Sequence, residues 1–353
     1  MLSNNGAVWY DKRKFPSKGG QGFPTCTTNM KLHLHLIINS SSGGGSGWVL
    51  GGQLIQLLKE KEVGYTAYFT EKAGDEFGFA RDLAKNSLLD FDLGAAYEDF
   101  PLLVVLGGDG TLSHVVDALS GFPDIPIAYI PAGSGNDFSR AAGTFSWDLL
   151  TALEAILNAG SPARLNVLTA RDMGGAWEKT LVNSLGIGID GAVINQMEKS
   201  PLKKTMNWVG LGSLSYPFTV LHVLFSQKPF QVEVKTGNGI QIIEDVFLAT
   251  TTNHPFFGGG IQIAPGADLL ADGLDLVIIQ KKSWWGLVGI VRALLLGKHL
   301  AHPHVHHVRG SQLEIQVGSP QYAQADGEPL GQKPFHIGFQ QQSRYFWLGE
   351  LHN

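Results

Sequence analysis

Two glycine-rich segments of this chain carry the residue types that phosphate chemistry needs. Leu106-Gly107-Gly108-Asp109-Gly110-Thr111-Leu112 follows an apolar run and opens a helical pattern. At such a junction, main-chain N–H groups and the helix dipole favour phosphate. Glycine lets the backbone approach a ligand, and Thr111 can cap the helix and bond a phosphate oxygen. The segment is not a Walker loop, and Ser113 stands where a dinucleotide fingerprint has its third glycine. Asp109 would repel phosphate unless Mg²⁺ lay between them, which points to phosphoryl transfer. The second segment is Ile130-Pro131-Ala132-Gly133-Ser134-Gly135-Asn136-Asp137-Phe138. Ser134 and Asn136 offer neutral donors there, and Asp137 a second carboxylate. A third, Asn39-Ser40-Ser41-Ser42-Gly43-Gly44-Gly45, reads equally as a nucleotide wrap or a surface loop.

The elements that must position these loops alternate. Leu32–Ile38, Tyr65–Phe69, Leu102–Leu106 and Ile125–Ile130 read as strands. Helical spacing falls on Leu50, Leu54, Leu57 and Leu58, on Phe77–Leu89, on Leu112–Leu119 and on Trp147–Leu157. Such alternation implies a parallel sheet covered on both faces, with its ligand crevice at the strands' C-terminal edge. Past Gly160 the texture changes. Leu165–Ala170, Thr180–Ser184, Phe230–Val234, Ile240–Thr251, Gly260–Ile263, Leu274–Ile279, Leu313–Val317 and Pro334–Gly338 read as short strands of an antiparallel domain, with helical stretches near 203–226 and 284–297. The expected division is an extension over 1–30, an α/β domain over 31–160 and a β-rich domain over 161–340.

Composition narrows the class. Apolar residues make up 44% and charged residues 16%, so the chain as a whole is not disordered. The net charge of −5 argues against a nucleic-acid partner. Cys26 is the one cysteine, which excludes an internal disulfide framework and a thiolate zinc site. No secretory leader is visible in residues 1–29, and Met30 reads as the expected biological start. There are 45 glycines, against roughly 25 at an average usage of about 7%.

The Gly-Gly-Asp-Gly-Thr and Pro-Ala-Gly-Ser-Gly-Asn-Asp-Phe motifs together resemble the bacterial diacylglycerol kinase family, which includes sphingosine and ceramide kinases. The resemblance runs through nearly all of 31–353. Asn183–Gly191, Gly258–Gly260, Pro265–Ala267, Asp272–Asp275 and Asp326-Gly327-Glu328 are similar to later family blocks. It implies an NAD kinase- and diacylglycerol kinase-like N-terminal α/β domain with a parallel sheet. A C-terminal antiparallel β-sandwich follows, the site lies in the cleft between them, and the end of the chain (341–353) returns to the first domain. It implies nucleotide contacts at Asn39, Thr70, Gly107, Gly108, Asp109, Gly110, Thr111, Ser113 and Ser134. A structural Mg²⁺ would sit on the Asp272 carboxylate and the main-chain oxygens of Leu269 and Leu274. Catalytic carboxylates are implied at Asp326 and Glu328. In an extended segment those two would point to one side, as i and i+2 do. Glu328 is then expected as the base and Asp326 as its neighbour; taken alone, Asp-Gly-Glu reads as a hairpin turn.

The expected activity is transfer of phosphoryl from ATP, with Mg²⁺, to a lipid hydroxyl, foremost diacylglycerol. An NAD or small-metabolite kinase and a nucleotide-sensing lipid-binding protein are the rivals. The expected enzyme is cytoplasmic and peripherally membrane-associated, with a homodimer left open. Asn207–Ser226 has the length of a membrane span but reads as a buried domain helix, given its glycines, serines and Pro217. Trp284–Leu296 reads as a core helix before an interfacial one. His302, His304, His306 and His307 read as a half-exposed strand rather than a metal site, and His254 as a loop or packing residue.

Overall fold

A computed structural model describes residues 30–199, 223 and 226–349. The extension over 1–29, and all of 207–226 except residues 223 and 226, lie outside the described residues.

The first part runs β1 (Lys31–Ile38), α1 (Ser42–Glu60), β2 (Gly64–Phe69), α2 (Asp75–Asn86), β3 (Asp99–Gly107), α3 (Asp109–Ala118), β4 (Ile127–Pro131), α4 (Asp137–Ala141) and α5 (Leu149–Asn158). These four strands pair in parallel in the order β2-β1-β3-β4. Alternation along each strand explains the two covered faces. Ile37, Leu103, Val105 and Ile127 meet Leu83, Leu112 and Val115 of α2 and α3. Their neighbours Leu36, Ile38, Val104 and Ile130 meet Leu54, Leu58 and Leu153 of α1 and α5. Strands buried on both faces read as continuous apolar runs, as Leu102–Leu106 of β3 and Ile127–Ile130 of β4 do. The strand order reverses between β1 and β3, which is where open α/β sheets leave a crevice.

The second part is antiparallel: β5 (Ala163–Asp172), β6 (Glu178–Leu181), β7 (Ser184–Gly188), α6 (Ile189–Lys199), β8 (Phe230–Thr236), β9 (Gly239–Thr252), β10 (Phe256–Phe257), β11 (Ile261–Gln262), β12 (Leu274–Gln280), α7 (Trp284–Leu295), β13 (Val305–Gly310), β14 (Gln312–Ala325) and β15 (Glu328–Phe346). The single strand expected over Thr180–Ser184 is two strands. It breaks at Val182-Asn183 because the N–H groups of Val182, Asn183 and Ser184 turn to the Asp326 carboxylate. The strands expected at Leu313–Val317 and Pro334–Gly338 are segments of β14 and β15. Polar residues such as Gln340–Gln342 hid their true length. The long strands β9 and β14 each pair with β7 along one stretch and β8 along another, around a core that includes Ile187, Val232, Leu276 and Ile315.

Strand β15 joins the two parts. It pairs with β14, then with β5 from Ile337 to Phe346, and Phe346 lies parallel to Ile127 of β4. The fully buried Trp347 donates its backbone N–H to the Ile127 carbonyl at 2.8 Å and its ring N–H to the Ile156 carbonyl at 2.9 Å.

Candidate active site

The loops leaving β1, β3 and β4 meet at the C-terminal edge of the parallel sheet. Asn39 donates its backbone N–H to Leu106 at 2.9 Å and its side-chain amide to the Thr111 hydroxyl at 2.8 Å. The β3 and β4 loops touch backbone to backbone. A Cβ on Gly133 would lie 2.6 Å from Gly108 Cα, so a side chain there would push the two loops apart. The β1 loop closes on them as well: a Cβ on Gly43 would lie 2.6 Å from the Ala132 carbonyl. The N-cap of α3 is Gly108 and not Thr111, whose hydroxyl instead serves Asn39. The side chain of Ser134 is exposed at the loop tip, and Thr70 is buried at the end of β2 with its N–H on Ile38.

Asn136 turns inward. It sits at φ 51° and holds Gly133 from both sides, its Oδ1 accepting the Gly133 N–H at 3.0 Å and its amide donating to the Gly133 carbonyl at 2.9 Å. Its side chain braces the loop and is not aimed at a ligand, which corrects the expectation of a free donor. Asp109 accepts the N–H groups of Asp137 (2.9 Å) and Phe138 (3.2 Å), so the first loop holds the second. Burial lifts the Asp109 carboxyl from 3.8 to about 6 despite those bonds. Asp137 in turn accepts the Gly259 N–H at 2.8 Å, tying the α/β domain to the β10–β11 hairpin of the second domain. Burial raises its pKa as well.

Asp326-Gly327 is a two-residue hairpin turn between β14 and β15, with φ of 47° and 85°. That corrects the extended segment: the two carboxylates do not share a side by i, i+2 alternation. Asp326 is partly buried and accepts N–H groups from Val182 (2.7 Å), Asn183 (3.0 Å) and Ser184 (2.8 Å), with the Ser113 hydroxyl as a further donor. Burial raises its pKa all the same. Asp326 and Ser113 are therefore committed to joining the hairpin to α3.

Glu328 reaches the cleft. One carboxylate oxygen takes a hydrogen bond from His114 Nε2 and the other pairs with Lys179 at 3.1 Å. His114 Nδ1 bonds Glu76 at 2.6 Å, and Glu76 is buried on α2. The His114 bond, then its charge and Lys179, holds the Glu328 carboxyl at about 2. His114, between two carboxylates, is pushed up to about 10. Glu76, His114 and Lys179 escaped the sequence reading. The spacing held a signal for one of them: His114 stands on the helix that Asp109 opens. No local pattern could pair it with Glu76 or Glu328, which are distant in the chain.

The residues expected to hold a metal lie on the loop before β12 and at the start of that strand. Leu269 is buried, and its carbonyl accepts the Asn166 N–H at 2.8 Å. Asp272 is exposed, its carbonyl accepts Arg309 at 3.1 Å, and Leu274 starts the strand. One carboxylate and two carbonyls are all-oxygen donors, which fits a hard divalent cation completed by water. Among the described residues no cluster of three or more His, Cys, Asp or Glu side chains is placed to hold a metal. The histidine segment includes β13, where His307 pairs with Asp275 at 2.6 Å. His254 is fully buried against Asn183 at 2.8 Å, and burial lowers it to about 4.

Among known proteins, residues 33–169 match the diacylglycerol kinase catalytic domain and residues 183–343 the YegS C-terminal NAD kinase beta sandwich-like domain. The diacylglycerol kinase of Bacillus subtilis is 28% identical over 305 residues, 85% of this chain and 90% of its own. YtlR of the same organism is 27% identical over 312 residues, 86% of this chain and 96% of its own. The crystal structure of a Bacillus anthracis diacylglycerol kinase covers 91% of this chain and 97% of its own, at TM-score 0.59 and 18% identity. Yeast NADH kinase covers 92% and 85% at TM-score 0.51 and 11% identity, a likeness of fold alone.

Proposed function

The chain belongs to the diacylglycerol kinase catalytic-domain family, and from that premise we propose that it transfers the γ-phosphoryl of ATP to a lipid hydroxyl, with diacylglycerol as the favoured acceptor. One observation carries the reading. Helix α3 opens from the glycine loop at Asp109, and through His114 it holds Glu328 of the second domain. The glycine-loop end of α3 and an ionised carboxylate of the second domain are thus tied together through one helix.

In this reading the ATP phosphates rest on the N–H groups of Gly107–Thr111 and of Ser134 and Gly135, with Asn39, Thr70 and the Ser134 hydroxyl around them. Asp109, ionised above about pH 6, would hold a Mg²⁺ on the nucleotide, which supplies charge neutralisation at the phosphates. Leu269, Asp272 and Leu274 would hold a second ion that braces the loop. Glu328 takes the proton of the acceptor hydroxyl as it attacks. His114 and Lys179 fix the carboxylate, and each of its oxygens keeps a second lone pair for the hydroxyl. Asp326 positions the hairpin. A lipid acceptor requires a membrane surface, so the enzyme is read as cytoplasmic and peripheral. Among the described residues no helix is long and apolar enough to cross a membrane.

The test offers labelled ATP and Mg²⁺ with membrane lipid extract and, separately, with NAD. Wild type labels a lipid; label on NAD alone would overturn the lipid reading. Glu328→Gln keeps ATP affinity and loses about 10²–10⁴-fold in kcat. Near-normal turnover by that variant would overturn Glu328 as the base.

A further inference from the structure

Helix α7 is apolar on two sides, and just one of them is covered. Leu287, Ile290 and Leu294 face the domain, where Ile290 and Leu294 pack with Ile263, Val277 and Val305. The other side leaves Trp285 85%, Val288 59%, Leu295 78% and Leu296 61% exposed. These positions form one stripe along the helix. A helix apolar all round is ordinarily enclosed. The expectation of a core helix therefore describes its inner side alone.

Charge says what covers the outer side. Residues 281–301 contain no acidic residue, in a chain whose net charge is −5; Lys282 pairs with Asp245 at 2.6 Å, and Arg292 and Lys298 are the cations on and just after the helix. Arg292, within the stripe, and Lys298, just beyond its end, are exposed. A second copy docked two-fold on this face would set Arg292 near its own equivalent, which like charge opposes. An anionic bilayer surface satisfies both features: the apolar side chains enter the acyl boundary and the cations meet the headgroups.

The position fits the same partner. Beneath α7 lie Ile263 and Ala264, just past the β10–β11 hairpin (Phe256–Gln262), and Phe257 of that hairpin packs in the same cluster. The hairpin carries Gly259, whose N–H is bonded to Asp137 in the cleft, and the exposed Ile261. The bilayer contact is thus one short hairpin away from the phosphate loops.

We propose that α7 seats this protein on an anionic membrane surface and brings the cleft to the lipid acceptor. The seating stands on the helix itself; the delivery of acceptor rests on the kinase reading above. The experiment sediments the full chain with vesicles of phosphatidylcholine alone and of phosphatidylcholine with phosphatidylglycerol. It compares wild type, Trp285→Ser/Leu295→Ser and Arg292→Glu/Lys298→Glu. All four positions are exposed, so the fold is retained, and unchanged thermal unfolding checks it. Wild type binds the anionic vesicles, and each double variant loses about tenfold or more in partitioning. In parallel, a short-chain diacylglycerol below its micelle concentration is offered as acceptor. The variants phosphorylate it as wild type does, and lose activity on vesicle-borne long-chain acceptor alone. Equal vesicle binding by wild type and variants would overturn the seating. So would a wild-type dimer that Trp285→Ser dissociates without any change in vesicle binding. Failure of wild type to phosphorylate either acceptor, with α7-dependent vesicle binding intact, would refute the kinase reading and leave the seating in place.

Discussion

Replacing His114 by Gln tests the link between the two domains most directly. In the wild type one imidazole serves two carboxylates, Glu76 at Nδ1 and Glu328 at Nε2. A glutamine side chain donates from one nitrogen and carries no charge, so one carboxylate loses its partner. The displacement of Glu328 from 4.5 to about 2 would be about 3 kcal/mol if unscreened. Its side chain is 42% exposed, and solvent leaves about 1 kcal/mol of that. The larger displacement of His114, from 6.5 to about 10, counts the same contact together with Glu76. The buried Glu76 end adds about 1–2 kcal/mol, because its other oxygen already has no partner. The signs define the window. Glu328, held low, stabilises above its ordinary 4.5 and loses that as pH falls through about 2. His114, held high, stabilises fully below 6.5 and loses that as pH rises through about 10. Both are present between those ordinary values. Thermal unfolding of wild type and His114→Gln is compared from about pH 5.5 to about pH 9.5. For a chain of this size about 2 kcal/mol is several degrees of Tm. The gap is expected to be widest at the acid end and to narrow toward the alkaline end. A gap independent of pH, or one that widens with pH, would refute the coupling.

Two further predictions concern the phosphate loops. Gly133→Ala places a Cβ against Gly108 and Asn136; it should cost about 1–3 kcal/mol and weaken ATP binding more than lipid binding, measured by unfolding and by nucleotide titration. Asp109 gains its proton in the folded protein near pH 6, against 3.8 when unfolded. Its own contribution to stability therefore increases as pH falls through that interval, while activity that needs the carboxylate declines below about pH 6. A kcat profile flat down to pH 5 would exclude an ionised Asp109 from the reaction.

The α/β half was legible because its signals are local. Apolar runs such as Leu102–Leu106 allow one structure, and glycines mark the loops that follow. The strand-to-helix loops at Gly107 and Pro131 lie where the pattern placed them. The second half was legible in kind and less so in length. Polar residues within β14 and β15 break alternation without breaking pairing, because both strands lean on partners far away in the chain. Asp326 and Glu328 were readable as chemistry but not as geometry. A type I′-like turn, with φ above zero at both Asp326 and Gly327, sends one carboxylate into the junction and the other to the cleft. The Asp-Gly pair already favours that turn, so hairpin and site were never rival readings.

The carboxylates that accept backbone N–H groups explain why the site needs both domains at once. Asp109 holds the second glycine loop, Asp137 of that loop holds Gly259, and Asp326 holds the β6–β7 break. Each accepts backbone N–H groups that would otherwise be buried without partners, so none can be removed cheaply. Each is also pushed toward its neutral form by burial. The N–H groups therefore have two tasks, closing the loops and keeping the carboxylates charged. Glu328 is the exception: a histidine and a lysine, not backbone N–H groups, keep it ionised. That difference separates the carboxylates that build the cleft from the one proposed to meet the acceptor hydroxyl.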